Sequence, residues 1–227
     1  MRKVPKFDRM PHLKAWLPIA VFSMVLAIIA GLVGNNAGLL KAEYSFDVAL
    51  NAGGGAFANQ LALLASEVYS PKFAIALTAV VMLLIWLLGK SWFNALAFGA
   101  VVAFGWLPAE AFKIMFNEPR GDISLLANQV MPLEVDSSFP SGHVCFALAF
   151  GLAVVLLARG TRAQWLAIAF WVASVLLEIW ARLYVGAHYL NDVVGSVFTT
   201  TVGVLLISYM WNKWFSELLQ ESKFYKG

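Results

Sequence analysis

Six apolar runs, each long enough to cross a lipid bilayer, punctuate this 227-residue chain and leave few folds open to it. They extend over about 16–33, 71–88, 92–112, 141–158, 163–181 and 189–211. Backbone in hydrocarbon finds no water to bond, so a run of this length must satisfy itself as a helix. Composition agrees: 61% of residues are hydrophobic and 13% charged, whereas about a quarter are charged in a soluble domain. The expected fold is an all-α integral membrane protein, one domain over 1–227, built as a six-helix bundle.

The stretch from Asn35 to Ser70 is too polar to span, and Gly53-Gly54-Gly55 breaks it. After the break Phe57, Leu61, Leu64 and Val68 recur at helical spacing, with Asn59, Gln60, Ser66 and Glu67 between them. This predicts an amphipathic helix over 56–69, lying in the membrane interface between spans one and two. The basic opening with Arg2, Lys3, Lys6, Arg9 and Lys14 resembles a signal peptide, but the run that follows is long for a signal core and shows no small-residue cleavage site. It is read as a retained first span. His12, in the same tail, reads as solvated or facing headgroups.

Six spans put both termini on one side. With the basic side cytoplasmic, the N-terminal tail, Lys90, Arg159, Arg162 and the tail carrying Lys213, Lys223 and Lys226 hold 11 of the 16 cations. Trp16, Trp86, Trp92, Trp165, Trp211 and Trp214 fall near the same ends and read as interfacial anchors. The cations are scattered between spans rather than gathered on one face, so no nucleic-acid partner is expected. The one cysteine, Cys145, has no partner for an intrachain disulfide.

Three polar stretches stand out against this background. They are Lys113-Ile-Met-Phe-Asn-Glu-Pro-Arg120, Pro140-Ser-Gly-His143 and Arg182-Leu-Tyr-Val-Gly-Ala-His188-Tyr-Leu-Asn-Asp192. Three cations and two histidines suit a phosphate group: Arg and Lys hold its oxygens, one histidine can attack phosphorus, and the other can donate a proton. His188 and Asp192 are four apart and share one helix face if the last span starts there. The carboxylate then fixes the imidazole tautomer. Free backbone amides of Ser141, Gly142 and His143, at the start of span four, can face phosphate oxygens. Glu178, one turn before Arg182, and Glu110, three residues before Lys113, are expected to pair with those cations or with another polar group and hold them in place. By span parity, all three stretches meet at the extracytoplasmic face.

Lys-x6-Arg, Pro-Ser-Gly-His and Arg-x5-His-x3-Asp, in this order, resemble the motifs of the type 2 phosphatidic acid phosphatase (PAP2) superfamily of membrane lipid phosphatases. The resemblance covers Lys113 to Asp192, about a third of the chain. It implies that His188 is the nucleophile and forms a phosphohistidine, oriented by Asp192. His143 would be the general acid and base, with Lys113, Arg120, Ser141, Gly142 and Arg182 binding phosphate. No metal or other cofactor is implied, because the side-chain cations fill that role. The sequence departs from the family pattern at two places. Gly121 stands where Pro is usual, and Ala181 where Ser is usual.

The resemblance further implies a lipid phosphate or diphosphate substrate within the bilayer of a bacterial inner membrane. Undecaprenyl pyrophosphate comes first, with phosphatidic acid and phosphatidylglycerophosphate next. A phosphotransferase passing the same histidyl phosphate to another lipid, and a non-enzymatic lipid transporter or scaffold on the same fold, are the competing readings. The acidic loop with Asp122, Glu134 and Asp136 is expected to disfavour anionic groups beyond the phosphate.

Overall fold

The computed structural model describes residue 10 and residues 14–131 and 134–215. The tail cations Arg2, Lys3, Lys6, Arg9, Lys223 and Lys226, and His12, lie outside the described residues. The elements in chain order are α1 (Trp16–Gly34), α2 (Ala37–Ala52), α3 (Ala56–Val68), α4 (Pro71–Gly89), α5 (Trp92–Trp106), α6 (Pro108–Phe116), α7 (Gly142–Ala158), α8 (Gln164–Tyr184) and α9 (Leu190–Met210). A 3-10 turn covers Ile123–Leu125, and a π-helical turn, Trp211–Phe215, extends α9. No strand occurs among the described residues.

Among the described residues, five stretches are long and apolar enough to cross a membrane: Trp16–Gly34, Pro71–Gly89, Trp92–Phe116, Gln164–Tyr184 and Leu190–Phe215. The sixth expected span, α7, is apolar but has only 17 residues. At 1.5 Å per residue it reaches about 26 Å, against about 30 Å of hydrocarbon.

Local chemistry sets the element ends. Ser91 caps α5 by accepting from the Asn94 N–H, and Pro71 opens α4 where a missing N–H costs nothing. The third expected span is interrupted. Pro108 lacks an amide, so α5 gives way to α6 there, and Lys113 sits in α6 rather than beyond its end. α6 stops at Asn117, whose left-handed backbone (φ 46°) Asn tolerates better than most residues. α8 runs to Tyr184 and thereby places Arg182 in its last turn.

The helix expected after the triple glycine is present as α3. A further helix, α2, precedes it where the sequence reading had only a polar connector. Asn36 caps α2 by accepting from the Gly38 and Leu39 amides. Its inward residues Tyr44, Asp47 and Asn51 are spaced by three and four, one helix face. Asn51 donates to the carbonyls of Tyr184 and Asn128 (2.9 Å each) and accepts from the Asn128 amide (2.7 Å). α2 therefore ties the end of α8 to the long loop.

The centre of the bundle is α5, α7 and α9, with α1 against α9 and α8 against α7. Phe98, Val101, Phe146 and Phe150 fill it. Gly203 lets α9 touch α5, since a Cβ there would collide with the Phe104 carbonyl. Only Ala74 of α4 is buried, which leaves that helix a peripheral, apolar face. α3 buries Ala62, Ala65 and Ser66 and leaves Phe57 and Leu64 exposed. One expected anchor is misplaced. Trp211 is buried in the core with its ring centroid 4.9 Å from that of Phe93, because the continued helix turns it inward.

The two family departures have steric counterparts. A side chain at position 121 would strike the ring of Tyr44, which α2 brings over the first motif. Ala181 packs with Ala62 and Ala65 where α8 meets α3.

Candidate active site

The ends of α3 and α6, the starts of α4 and α7, and the loops carrying Arg120, Glu134 and His188 enclose one cavity of about 450 Å³. Lys113, Arg120, Gly142, His143 and His188 line it, with Tyr69 and Trp106 among the apolar walls and Glu110, Glu134 and Asp136 at the acidic ones. Of the residues singled out in the sequence, Ser141, Arg182, Asp192 and Glu178 lie behind this lining.

His188 sits in the short loop between α8 and α9 and is buried. Its Nε2 is 3.2 Å from Arg120 Nη1, and its Nδ1 is 3.1 Å from Asp192 Oδ2. A guanidinium only donates, so Nε2 must be the acceptor and the proton lies on Nδ1, directed at Asp192. Burial, then the nearby charges of Arg120, Arg182 and Lys113, hold the His188 pKa well below its ordinary value. The imidazole is thus neutral at physiological pH, with its Nε2 lone pair on the cavity side. This is the state a nitrogen nucleophile needs.

Asp192 is fully buried in the first turn of α9. Its Oδ2 collects the Tyr189 amide (2.9 Å), His188 Nδ1 and the hydroxyl of Ser138. Ser138 was not foreseen. It stands two residues before the Pro140 motif and carries no spacing signal, and only the folded loop brings it under the histidine. Behind Asp192, burial and the Asp192 charge push the Glu118 carboxyl up to about 9. Two charges side by side in this buried pair are thereby disfavoured.

His143 occupies the first turn of α7, its Nε2 3.2 Å from the carbonyl of Ser66 in α3. A carbonyl only accepts, so Nε2 carries a proton and Nδ1 is left for exchange. Ser141 caps α7, its Oγ accepting from the Val144 amide (3.5 Å), while its carbonyl accepts from Ser196 (3.1 Å). Its hydroxyl is thus used inside the protein, and Gly142 is the motif residue that borders the cavity.

The pairing expected for the cations is corrected. Lys113 does not pair with Glu110 but with Asp136 (2.5 Å) and the Ser137 carbonyl (2.6 Å). Arg182 does not pair with Glu178 but with Glu134. Both glutamates lie three or four residues from their cation along a helix, yet each cation points off its helix end toward the loop. Glu178 accepts no hydrogen bond among the described residues. Arg120 is held by both loop acids, at 2.8 Å from Glu134 and 2.7 Å from Asp136. Burial works against ionisation of Asp136, but Lys113 and Arg120 outweigh it and hold the carboxyl down to about 2.

Comparison with known proteins identifies the family. Residues 94–216, which contain all three motifs, match the PAP2 superfamily. The chain is 31% identical over 155 residues to undecaprenyl-diphosphatase BcrC of Bacillus subtilis (strain 168), an alignment covering 67% of this chain and 75% of that protein. Its fold is similar, with a TM-score of 0.65 at 18% identity, to the crystal structure of the transmembrane PAP2-type phosphatidylglycerolphosphate phosphatase from Bacillus subtilis. That superposition covers 93% of this chain and 100% of the other. With a buried histidine on a carboxylate, a second histidine and two cations lining one cavity with a third behind it, and over half its length matching the family, the chain belongs to the PAP2 superfamily and is a membrane-embedded phosphatase of it.

Proposed function

We propose that this protein hydrolyses a lipid diphosphate or lipid phosphate at the extracytoplasmic face of a bacterial inner membrane, through a phosphohistidine on His188 and without a metal. The observation that carries this reading is the His188 ring, with Nδ1 on Asp192 and Nε2 turned to a cavity flanked by Lys113 and Arg120. Nε2 attacks phosphorus, and the bond to the leaving lipid oxygen breaks. The charge of the bound phosphate favours the protonated form of His143, which gives that oxygen a proton from Nδ1. Water then attacks the phosphohistidine while His143 takes its proton, and inorganic phosphate leaves. Lys113, Arg120 and Arg182 offset the charge on the phosphoryl oxygens throughout. Gly142, at the amino end of α7, offers its amide beside them.

Undecaprenyl pyrophosphate is the favoured substrate, supported by the likeness to the diphosphatase BcrC. Phosphatidylglycerophosphate and phosphatidic acid come next. The apolar rim supports a lipid: Tyr69, Pro71 and Trp106 border the cavity, and α3, whose last turns contribute Ser66 and Glu67 to it, leaves Phe57 and Leu64 exposed. In this reading α3 lies in the interface, α7 is the sixth span, and both termini are cytoplasmic. The tail stays in the bilayer, and its binding energy raises the rate at the phosphate.

Two measurements test this. Release of inorganic phosphate from undecaprenyl pyrophosphate in detergent should continue in EDTA. Its kcat/KM should exceed that of a soluble short-chain diphosphate by about a hundredfold or more, roughly 2.7 kcal/mol of tail binding used in the transition state. Equal values, or activity lost to EDTA and restored by magnesium, overturn the reading. For the topology, a cysteine at Ser124 should react with an impermeant reagent from outside the cell and one at Thr161 should not. The reverse pattern inverts the assignment.

A further inference from the structure

The three cations assigned to phosphate are already occupied. Asp136 lies 2.5 Å from Lys113 and 2.7 Å from Arg120; Glu134 lies 2.8 Å from Arg120 and also bonds Arg182. These are the lengths of charge-assisted bonds, the kind a phosphate oxygen would make in the same places. The two sides of the cluster are not alike. The cation side chains are 7%, 4% and 0% exposed, whereas Glu134 and Asp136 are 26% and 53% exposed and both stand at the cavity wall. The cations are fixed in the protein, and the acids have water to withdraw into. Val135 between them is 99% exposed, so no packing pins this stretch at its middle.

We propose that Glu134 and Asp136 are a built-in counter-ligand, carboxylates that take the phosphate positions between turnovers and that an incoming phosphate must displace. The proposal rests on the reading that Lys113, Arg120 and Arg182 hold the phosphate. Its purpose follows from charge. Three buried cations with no anion would be costly in the empty site, and with phosphate alone they would hold the product too tightly. Two carboxylates leave one net positive charge on the five groups, enough to attract an anion while competing against its retention.

The test uses the full-length protein in detergent and inorganic phosphate as the probe, so that no turnover is needed. Titration calorimetry of a Glu134→Gln, Asp136→Asn double variant should show phosphate binding at least about tenfold tighter than wild type, one charged hydrogen-bond partner's worth of lost competition. Unchanged or weaker binding overturns the proposal, because acids that merely build the site would loosen it when neutralised. Should the double variant not fold, a spin label on Val135→Cys decides, with every ion pair intact and the native Cys145 buried. Saturating phosphate should increase the label's mobility, and an unchanged spectrum overturns the proposal. Phosphate binding to neither protein removes the phosphate-site reading itself. Equal binding to both, with lipid turnover normal, removes the counter-ligand alone.

Discussion

Replacing His188 with alanine is expected to lower kcat by at least about four orders of magnitude, because the covalent route disappears with the attacking nitrogen. Nothing beside it can take over. The cavity's other imidazole, His143, is held by the Ser66 carbonyl, and Ser141 is buried behind the cavity lining at the α7 cap. His143→Ala should fail at a different step. With a good leaving group that needs no proton, attack still occurs, but the water that resolves the phosphohistidine has lost its base. An acid-labile, base-stable phosphoenzyme should then accumulate, visible by quenching with labelled substrate. Asp192→Asn should keep a trace of activity. The amide can still accept from Ser138 or Tyr189, but it no longer offers the negative charge that stabilises the imidazolium side of the reaction. Wild-type turnover in His188→Ala, or a phosphoenzyme that survives in it, removes the assignment of nucleophile.

That histidine was legible in the sequence because its orienting partner is local. His188 and Asp192 are four residues apart across a helix start, and a spacing of that kind survives any global fold. Likewise, Lys113, Arg120 and Arg182 were marked by being ionisable groups at the ends of apolar runs, where such groups are expensive without a use. What escaped notice was long-range. Ser138 meets Asp192 across 54 positions and Glu134 meets Arg182 across 48. Neither contact leaves a period or spacing in the chain. The local rule failed outright for Glu178 and Glu110: a helix neighbour three or four residues away is the default partner of a cation only on a free helix surface. Here both cations stand at helix ends beside an acidic loop that outcompetes the helix neighbour. α2 was missed for a related reason. Its buried residues are Tyr44, Asp47 and Asn51, so its inward face is polar and a hydrophobic period does not reveal it.

Arg120→Lys is expected to cost about two to three orders of magnitude in kcat, although the charge is kept, by analogy with removal of one transition-state donor. The guanidinium does what a single ammonium cannot. Its Nε bonds the Asp136 carbonyl at 2.9 Å, Nη2 meets Asp136 and Glu134, and Nη1 reaches both the Ala187 carbonyl and His188 Nε2. One rigid fork therefore joins the first motif, the acidic loop and the loop carrying His188. Its Nη1 lies over the His188 Nε2 lone pair, and on the proposed mechanism that position becomes useful only when a phosphoryl oxygen takes the donor instead. Lysine can neutralise one direction but cannot hold the loop and address the substrate together. The loss should therefore fall on the transition state. Affinity for orthovanadate, which adopts the five-coordinate shape of the transferring phosphoryl group, should drop in parallel with kcat, while KM changes by less than about tenfold. Thermal unfolding in the same detergent separates this from a loosened fold. A lysine variant within about threefold of wild type in kcat, with vanadate inhibition unchanged, would mean that Arg120 serves the site only as a point charge.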